Sequence, residues 1–234
     1  MIRRGGALAA LIMVAGCASV PAAPPFTPGY LSTQQIDHLG VATQPATGRF
    51  AMGDMADDRR MLAISHAELR PGLAKGHFDC ALGSRMAGAE TPALIRIFTR
   101  LQRDLDAAGR PRDRSAPATA APCIRDSWIS TPDWSGRQAA LAAAYADTLA
   151  RLAPDRATAL ADTGRAIGHS AVLCGLSTPE DAADGAALGH AVFTAVSTTP
   201  DFVADIATAR SEMDAVRASG LTSPACAAER RALR

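Results

Sequence analysis

The periodicity of the apolar residues is the feature that most constrains how this chain can fold. From residue 91 onward apolar side chains recur every three or four residues, and runs in which apolar and polar residues alternate are essentially absent. Alanine, the best helix former, supplies about 52 of the 234 residues. We therefore expect an all-α protein, a helical bundle with short connections in its C-terminal half.

The helix ends can be predicted from capping and breaking residues. Thr91-Pro92 predicts a helix start with proline in the first turn, and Gly109 predicts its end. One face of this helix is apolar: Leu94, Ile97, Phe98, Leu101 and Leu105. Residues 110–130 are expected to form a loop. Further helices are predicted for Asp57 to Leu69, Ser135 to about Ala153, Asp155 to about Leu173, Ser177 to about Ser197, and Thr199-Pro200 to about Ala218.

The charge balance limits the classes of partner. The chain has 24 basic and 23 acidic side chains and a formal net charge of +1, so it lacks the basic surface that a nucleic acid would require. Lys75 is the single lysine among the basic residues. The arginine excess indicates either codon bias or a need for bidentate anion binding, and we interpret it as codon bias.

The first 16 residues have the pattern of an export signal, two arginines followed by a short apolar run. The run ends in Val14-Ala15-Gly16-Cys17, which resembles the lipobox of bacterial lipoproteins and implies lipidation of Cys17. Ordinary secretory cleavage near Ala18 or Ala23 is the alternative. Because Ala18 rather than Asp follows the cysteine, the resemblance implies an outer-membrane anchor that faces the periplasm.

Beyond the signal, residues 17–45 are rich in Pro, Thr and Gln and predict a flexible tether, followed by a helical domain over residues 46–234. The domain contains four cysteines, Cys80, Cys123, Cys174 and Cys226. In an oxidising compartment an even number predicts two disulfides, and three pairings are open. The cysteines and histidines lack the close spacing of a zinc site, so we expect no metal.

Two motifs carry a resemblance to a known family. The run from Gly168 to Asp181, GHSAVLCGLSTPED, resembles the last signature of the bacterial class A nonspecific acid phosphatases, in the type 2 phosphatidic acid phosphatase and vanadium haloperoxidase superfamily. Trp134-Ser135-Gly136-Arg137 stands where that family has Pro-Ser-Gly-His. Gly189, Pro200 and Phe202 also fit its last helices. The resemblance implies the acid phosphatase helical bundle and phosphomonoester hydrolysis through a phosphohistidine, without a cofactor.

The same resemblance assigns roles to individual positions. Ser177 stands at the nucleophilic histidine, Arg137 at the histidine that protonates the leaving group, and Asp181 at the aspartate that orients the nucleophile. The residues implied in phosphate binding are Ser135, Gly136, Arg137, Ser170 and Arg114. Ala171 replaces an arginine of the signature, and the first signature survives only as fragments without its lysine.

With both catalytic histidines replaced, we expect a catalytically impaired member that retains at most binding of phosphate or a small phosphoester. One alternative is an active acid phosphatase with a rearranged site, such as a His169–Ser177 pair. Another is a non-enzymatic scaffold or interaction lipoprotein of the envelope. The family context also implies that Cys123 pairs with Cys174, which leaves Cys80 to pair with Cys226.

Each of these positions also has an ordinary structural interpretation. Ser135 and Ser177 each begin a capping-box pattern, with Gln138 and Glu180 three residues later. Arg137 is then a solvated surface residue. Asp181 lies in a first helical turn, where a carboxylate is favoured by the helix dipole.

Overall fold

The computed structural model describes residues 27–39, 69–109, 134–173 and 177–227. Within these ranges the chain is helical and contains no β-strand, which confirms the all-α prediction. The α-helices are α1 (Thr33–His38), α2 (Pro71–Ala74), α3 (Asp79–Leu82), α4 (Pro92–Ala108), α5 (Arg137–Leu152), α6 (Ala157–Leu173), α7 (Pro179–Val196) and α8 (Pro200–Ala218). Short 3-10 helices precede α3, at Lys75–Phe78, and α6, at Pro154–Arg156. Most of the helix predicted from Asp57, and the loop at 110–130, lie outside the described residues.

Helix α5 occupies the centre of the bundle, between α6 and α7. Most of its residues are buried, and the majority of these are alanines. Because alanine side chains are short, the neighbouring helices approach closely. Gly164 of α6 lies against Ala142, and Gly189 of α7 lies against Ala140. The alanine content of the sequence thus produces a tightly packed three-helix centre.

Helix α4 covers a further side of this centre and packs against α8. Its predicted start, end and apolar face are all confirmed, and the five predicted core residues are buried. Phe98 stacks on Tyr145 of α5 with ring centroids 3.9 Å apart. The backbone N–H groups of Ala93 and Leu94 donate to the Glu212 carboxylate of α8, at 2.7 and 3.0 Å. The start of α4 is therefore capped by a distant side chain and not by Thr91.

Two tertiary clamps hold the short elements that precede α4. The first is the disulfide between Cys80 and Cys226, which confirms that pairing. Cys123 and Cys174 lie outside the described residues. The second clamp is Lys75, which is buried and donates through Nζ to the Ala89 carbonyl and to Thr91 Oγ1, at 2.5 and 2.7 Å. The single lysine of the sequence therefore has a structural role, since its hydrogen bonds connect the 3-10 helix at Lys75–Phe78 to the residues that precede α4.

Residues 27–39, which the sequence assigns to the tether, lie against the bundle. Tyr30 is buried, and the backbone N–H groups of Tyr30 and Leu31 donate to the two carboxylate oxygens of Asp104 on α4, at 2.8 and 3.1 Å. Over this stretch the prediction of a flexible tether is wrong. The physical reason is that one aromatic ring and one buried carboxylate anchor a segment whose composition is otherwise that of a linker.

Asp104 makes this contact dependent on pH. Burial raises the pKa of Asp104 to about 6, although its bonds to the two backbone N–H groups and the charge of Arg100 oppose the shift. A raised pKa means that the folded protein binds the proton more tightly than the unfolded chain. The stability that Asp104 contributes is therefore complete below pH ~4 and is lost as the pH rises through ~6.

We expect the free energy of unfolding to fall between pH 4 and 7, and we expect Asp104→Asn to flatten this part of the profile. Denaturant unfolding of both proteins at half-unit pH intervals measures the difference. Profiles that run parallel would show that Asp104 does not titrate in this range.

Candidate functional site

The residues singled out by the two motifs gather where α5 and α7 begin. We call residues 134–137 together with residues 177–185 the helix-start junction. Of the predicted site residues, Ser135, Gly136, Arg137, Ser177 and Asp181 all belong to it, and Ser170 lies in the last turn of α6 at the same end of the bundle. Arg114 lies outside the described residues, as does Cys17. The structure therefore brings five of the predicted positions together.

At the start of α5 the cap is Gly136 and not Ser135. Gly136 has φ +84°, a left-handed conformation that favours glycine, and no side chain caps the helix. The predicted capping box at Ser135 is wrong because the helix begins two residues later, at Arg137. The Ser135 side chain is instead exposed, and its hydroxyl lies 3.4 Å from the hydroxyl oxygen of Ser177.

At the start of α7 the cap is Thr178 and not Ser177. Thr178 Oγ1 accepts the backbone N–H of Asp181 at 2.9 Å. Ser177 is buried, and its hydroxyl donates to the Thr178 carbonyl at 3.2 Å. The predicted capping box at Ser177 is therefore also wrong, because the N-cap is the next residue. The two serines therefore face each other across the junction, and neither caps a helix.

The two helix starts touch through their backbones. A Cβ placed on Gly185 would lie 2.2 Å from the Gly136 carbonyl oxygen, and one on Gly136 would lie 2.2 Å from the Asp181 carbonyl oxygen. Real Cβ atoms do not approach other atoms so closely, so the contact requires glycine on both helices. Gly136 and Gly185 thus explain how Ser135 and Ser177 come together.

Arg137 forms a bidentate ion pair with Asp106 in the last turn of α4. Its Nε and Nη2 donate to the two carboxylate oxygens of Asp106, at 2.6 and 2.9 Å. Both side chains are partly buried, with exposed fractions of 20% for Arg137 and 31% for Asp106. This paired geometry is the one in which arginine also binds phosphate. The interpretation of Arg137 as a solvated surface residue is therefore wrong.

The remaining predicted residues of this region are buried. Ser170 is fully buried, and its hydroxyl donates to the Ile167 carbonyl at 2.7 Å, within its own helix. Asp181 is buried in the first turn of α7, next to Glu180. The negative charges of these two residues compensate the partial positive charge at the N-terminus of α7, so a free anion would be repelled from this helix end.

Among the described residues, no histidine forms a hydrogen bond with Ser177, the serine at the nucleophile position. His169 is exposed on α6, and within the described ranges no hydrogen bond joins it to Ser177. His190 lies on α7, where its Nδ1 is 2.6 Å from an Asp147 carboxylate oxygen in an exposed pair. A serine hydroxyl needs an adjacent base to attack a phosphate ester. The geometry of the junction supplies none.

The described part of the chain holds no group of three or more His, Cys, Asp or Glu side chains that could bind a metal ion. In the same residues no helix is long and apolar enough to cross a membrane.

Asp106 is a residue of the junction that the sequence did not predict. Asp104 and Asp106 both lie in the last two turns of α4, where the negative end of the helix dipole disfavours carboxylates. Such placement indicates that other groups hold these side chains, and this signal could have identified both. The partner of Asp106 could not be predicted in the same way, because Arg137 is 31 residues away and on another helix.

A hollow of about 510 Å³ borders Asp106 on the surface. It is lined by one face of α4, from Ile95 to Asp106, and by Pro71 and Gly72 at the start of α2. Asp106 thus lines this open hollow, and Arg137 is not among its lining residues.

No protein-family model matches this chain, and no curated protein matches it.

Proposed function

We propose that this chain is an exported lipoprotein of the bacterial envelope, with an acid-phosphatase-like helical bundle that no longer hydrolyses phosphomonoesters. In this proposal Cys17 carries the lipid, the domain faces the periplasm from the outer membrane, and Arg137 binds at most phosphate or a small phosphoester. The lipobox-like run supports the anchor, and the gathering of the motif residues at one end of the bundle supports the phosphatase-like fold.

The bidentate pair between Arg137 and Asp106 carries the functional part of the proposal. The Asp106 carboxylate occupies the Nε/Nη2 edge of the guanidinium, one of the two edges that can bind a phosphate, so a phosphate on that edge must displace an internal anion. At the same time the junction offers no histidine nucleophile next to Ser177. Loss of general acid catalysis alone costs about 10²–10⁴ in rate, and loss of the nucleophile costs more.

The alternative of an active enzyme with a rearranged site needs a base for Ser177. The Ser177 hydroxyl is engaged by the Thr178 carbonyl and lies next to Ser135, whereas His169 faces solvent. These contacts favour the proposal that the protein has no phosphatase activity over the alternative of an active enzyme.

Catalysis is tested with p-nitrophenyl phosphate between pH 4 and 7. We expect no release of p-nitrophenol above that of a heat-denatured sample, because residues 134–137 and 177–185 include no histidine to act as nucleophile or as general acid. Turnover that disappears in Ser177→Ala or His169→Ala would overturn the proposal and restore the rearranged enzyme.

Binding is tested by the melting temperature in millimolar phosphate or vanadate, against sodium chloride at equal ionic strength. We expect a small stabilisation of the wild type, on the order of 0.5 kcal/mol, and a larger one for Asp106→Asn, because the internal competitor is removed. Arg137→Gln is the matched control, since it retains non-specific salt effects. Equal shifts in all three proteins would exclude Arg137 as an anion site.

A further inference from the structure

Residues 29–31 contact a groove between α4 and α8 in the manner of a bound peptide. Tyr30 is buried, whereas Pro28 and Ser32 on either side are exposed, and the helix that follows, α1, contains no buried residue. Short peptides commonly bind folded domains in this way, through one side chain that fills a pocket while its neighbours remain in solvent. We call residues 29–31 the cis peptide, and the groove that receives them the α4–α8 cleft.

The side chains of the cleft bind the backbone of the cis peptide. Asp104 of α4 accepts the N–H groups of Tyr30 and Leu31, at 2.8 and 3.1 Å, and Arg100 Nη2 donates to the Gly29 carbonyl at 3.1 Å. Three consecutive residues are therefore held through main-chain groups by one acceptor and one donor, both charged. A ligand of this cleft needs a backbone N–H at the positions of Tyr30 and Leu31, which excludes proline from both.

The side-chain pocket of the cleft fits tyrosine. The Tyr30 ring meets Phe202 edge to face with centroids 5.3 Å apart, and the Arg100 guanidinium lies 3.8 Å from the ring centroid. The hydroxyl donates to Asp205 at 2.7 Å. Burial and this bond raise the pKa of Tyr30, so its phenol stays protonated and continues to donate. A phenylalanine in the same pocket would keep the ring contacts and lose the bond to Asp205.

The residue before the tyrosine has to be glycine. Gly29 packs so closely on Asp104 that a Cβ there would overlap the carboxylate. The cleft therefore selects a glycine, then a tyrosine, then a residue other than proline.

The walls of the cleft are joined by contacts that do not involve the cis peptide. Arg96 Nε pairs with Asp205 and Arg100 Nη2 pairs with Asp201, both at 2.9 Å, and both pairs connect α4 to α8. Glu212 of α8 also accepts two backbone N–H groups at the start of α4. Departure of the cis peptide thus leaves a formed groove, and α1 has its own contacts with α4.

We propose that the α4–α8 cleft is a binding site for a Gly-Tyr peptide of another polypeptide, and that the cis peptide is its autoinhibitory occupant. The cis peptide defines the chemistry of the ligand: two main-chain N–H groups for Asp104, a main-chain carbonyl for Arg100 and a phenol for Asp205. Because the cis peptide belongs to the same chain, its effective concentration at the cleft is on the order of millimolar, and a peptide from another chain has to compete with it.

The site is tested in the full chain at pH 7 with a fluorescent peptide of residues 27–32, Thr-Pro-Gly-Tyr-Leu-Ser, by fluorescence polarisation. Gly29→Ala displaces the cis peptide and leaves the side chains of the cleft unchanged. We expect this variant to bind the peptide saturably, and at least tenfold more tightly than the wild type, whose cleft is filled. Gly72→Ala is the matched control, because a Cβ on Gly72 meets nothing within 4 Å, and we expect it to bind as the wild type does.

Further variants test whether the peptide occupies this cleft. We expect at least tenfold weaker binding when Asp104→Ala is added to Gly29→Ala, and the same loss for peptides with alanine in place of the glycine or the tyrosine. Tyr30→Ala vacates the cleft by a second route, should Gly29→Ala fail to fold or keep its segment docked. Far-UV circular dichroism confirms that each variant folds.

Two results with these proteins would overturn the binding site: no saturable binding in either Gly29→Ala or Tyr30→Ala, or equal binding of the altered peptides. Sedimentation velocity of the wild type tests the identity of the occupant, and we expect a monomer. A dimer that the peptide dissociates would make a second copy of this chain the occupant and would overturn the separate partner.

Discussion

Replacing both Cys80 and Cys226 by serine is expected to lower the free energy of unfolding by about 5 kcal/mol. The disulfide joins residues 146 positions apart, and the chain entropy that a cross-link removes from the unfolded state grows with the length of the closed loop. A typical domain has a total stability of about 5–15 kcal/mol, so this loss is a large fraction of it.

The structure indicates which region of the protein separates first when the disulfide is removed. The disulfide joins α3 to the segment after α8, and a backbone hydrogen bond from the N–H of Arg85, just after α3, to the Leu221 carbonyl at 2.8 Å also joins these regions in the described part of the chain. A single hydrogen bond contributes about 1 kcal/mol, far less than the cross-link. We therefore expect residues 219–227 to separate from α3 before the bundle centre unfolds.

Guanidinium unfolding of the oxidised wild type, the reduced wild type and the double serine variant measures this effect. The double variant isolates the contribution of Cys80–Cys226 from that of any other disulfide opened by reductant. A loss below about 1 kcal/mol in that variant would show that the unfolded chain is nearly as compact without the cross-link as with it.

The helices and their order could be predicted because the signals are local. Proline in the first turn defines the starts of α4 and α8 correctly, and the apolar face of α4 is buried as its periodicity indicates. Local signals gave the wrong N-cap residue at two helices, where the residue next to the predicted serine takes the capping position. Gly136 and Thr178 cap α5 and α7 in place of the adjacent serines, and the contact of Gly136 with Gly185 decides the first case.

The candidate site could be predicted only as a set of positions. The motifs identified Arg137 and Ser177, and the structure brings their helix starts together. Arg137 pairs with Asp106, and Tyr30 with Asp104, because segments far apart in sequence pack together. The periodicity of apolar residues within one helix does not indicate which segments it packs against. The composition of residues 17–45 predicted a tether that includes Tyr30, because a single aromatic residue changes the average composition of such a segment very little.

Gly185→Ala is expected to destabilise the protein by about 3 kcal/mol or more. The new methyl group would lie 2.2 Å from the Gly136 carbonyl oxygen and 3.0 Å from Gly136 Cα. These are backbone atoms, so no side chain can rotate away, and α5 and α7 must separate at their starts. Because Arg137 follows Gly136, we also expect the Arg137–Asp106 pair to loosen.

Gly72→Ala is the matched control, because a Cβ on Gly72 meets nothing within 4 Å. Replacing glycine by alanine at an unstrained helical position stabilises by up to about 1 kcal/mol, so this variant should be neutral or slightly more stable. Chemical unfolding of both variants gives the comparison. A Gly185→Ala protein as stable as Gly72→Ala would mean that α5 and α7 can part without cost, and the junction would then be too loose to hold Ser135, Arg137 and Ser177 in one arrangement.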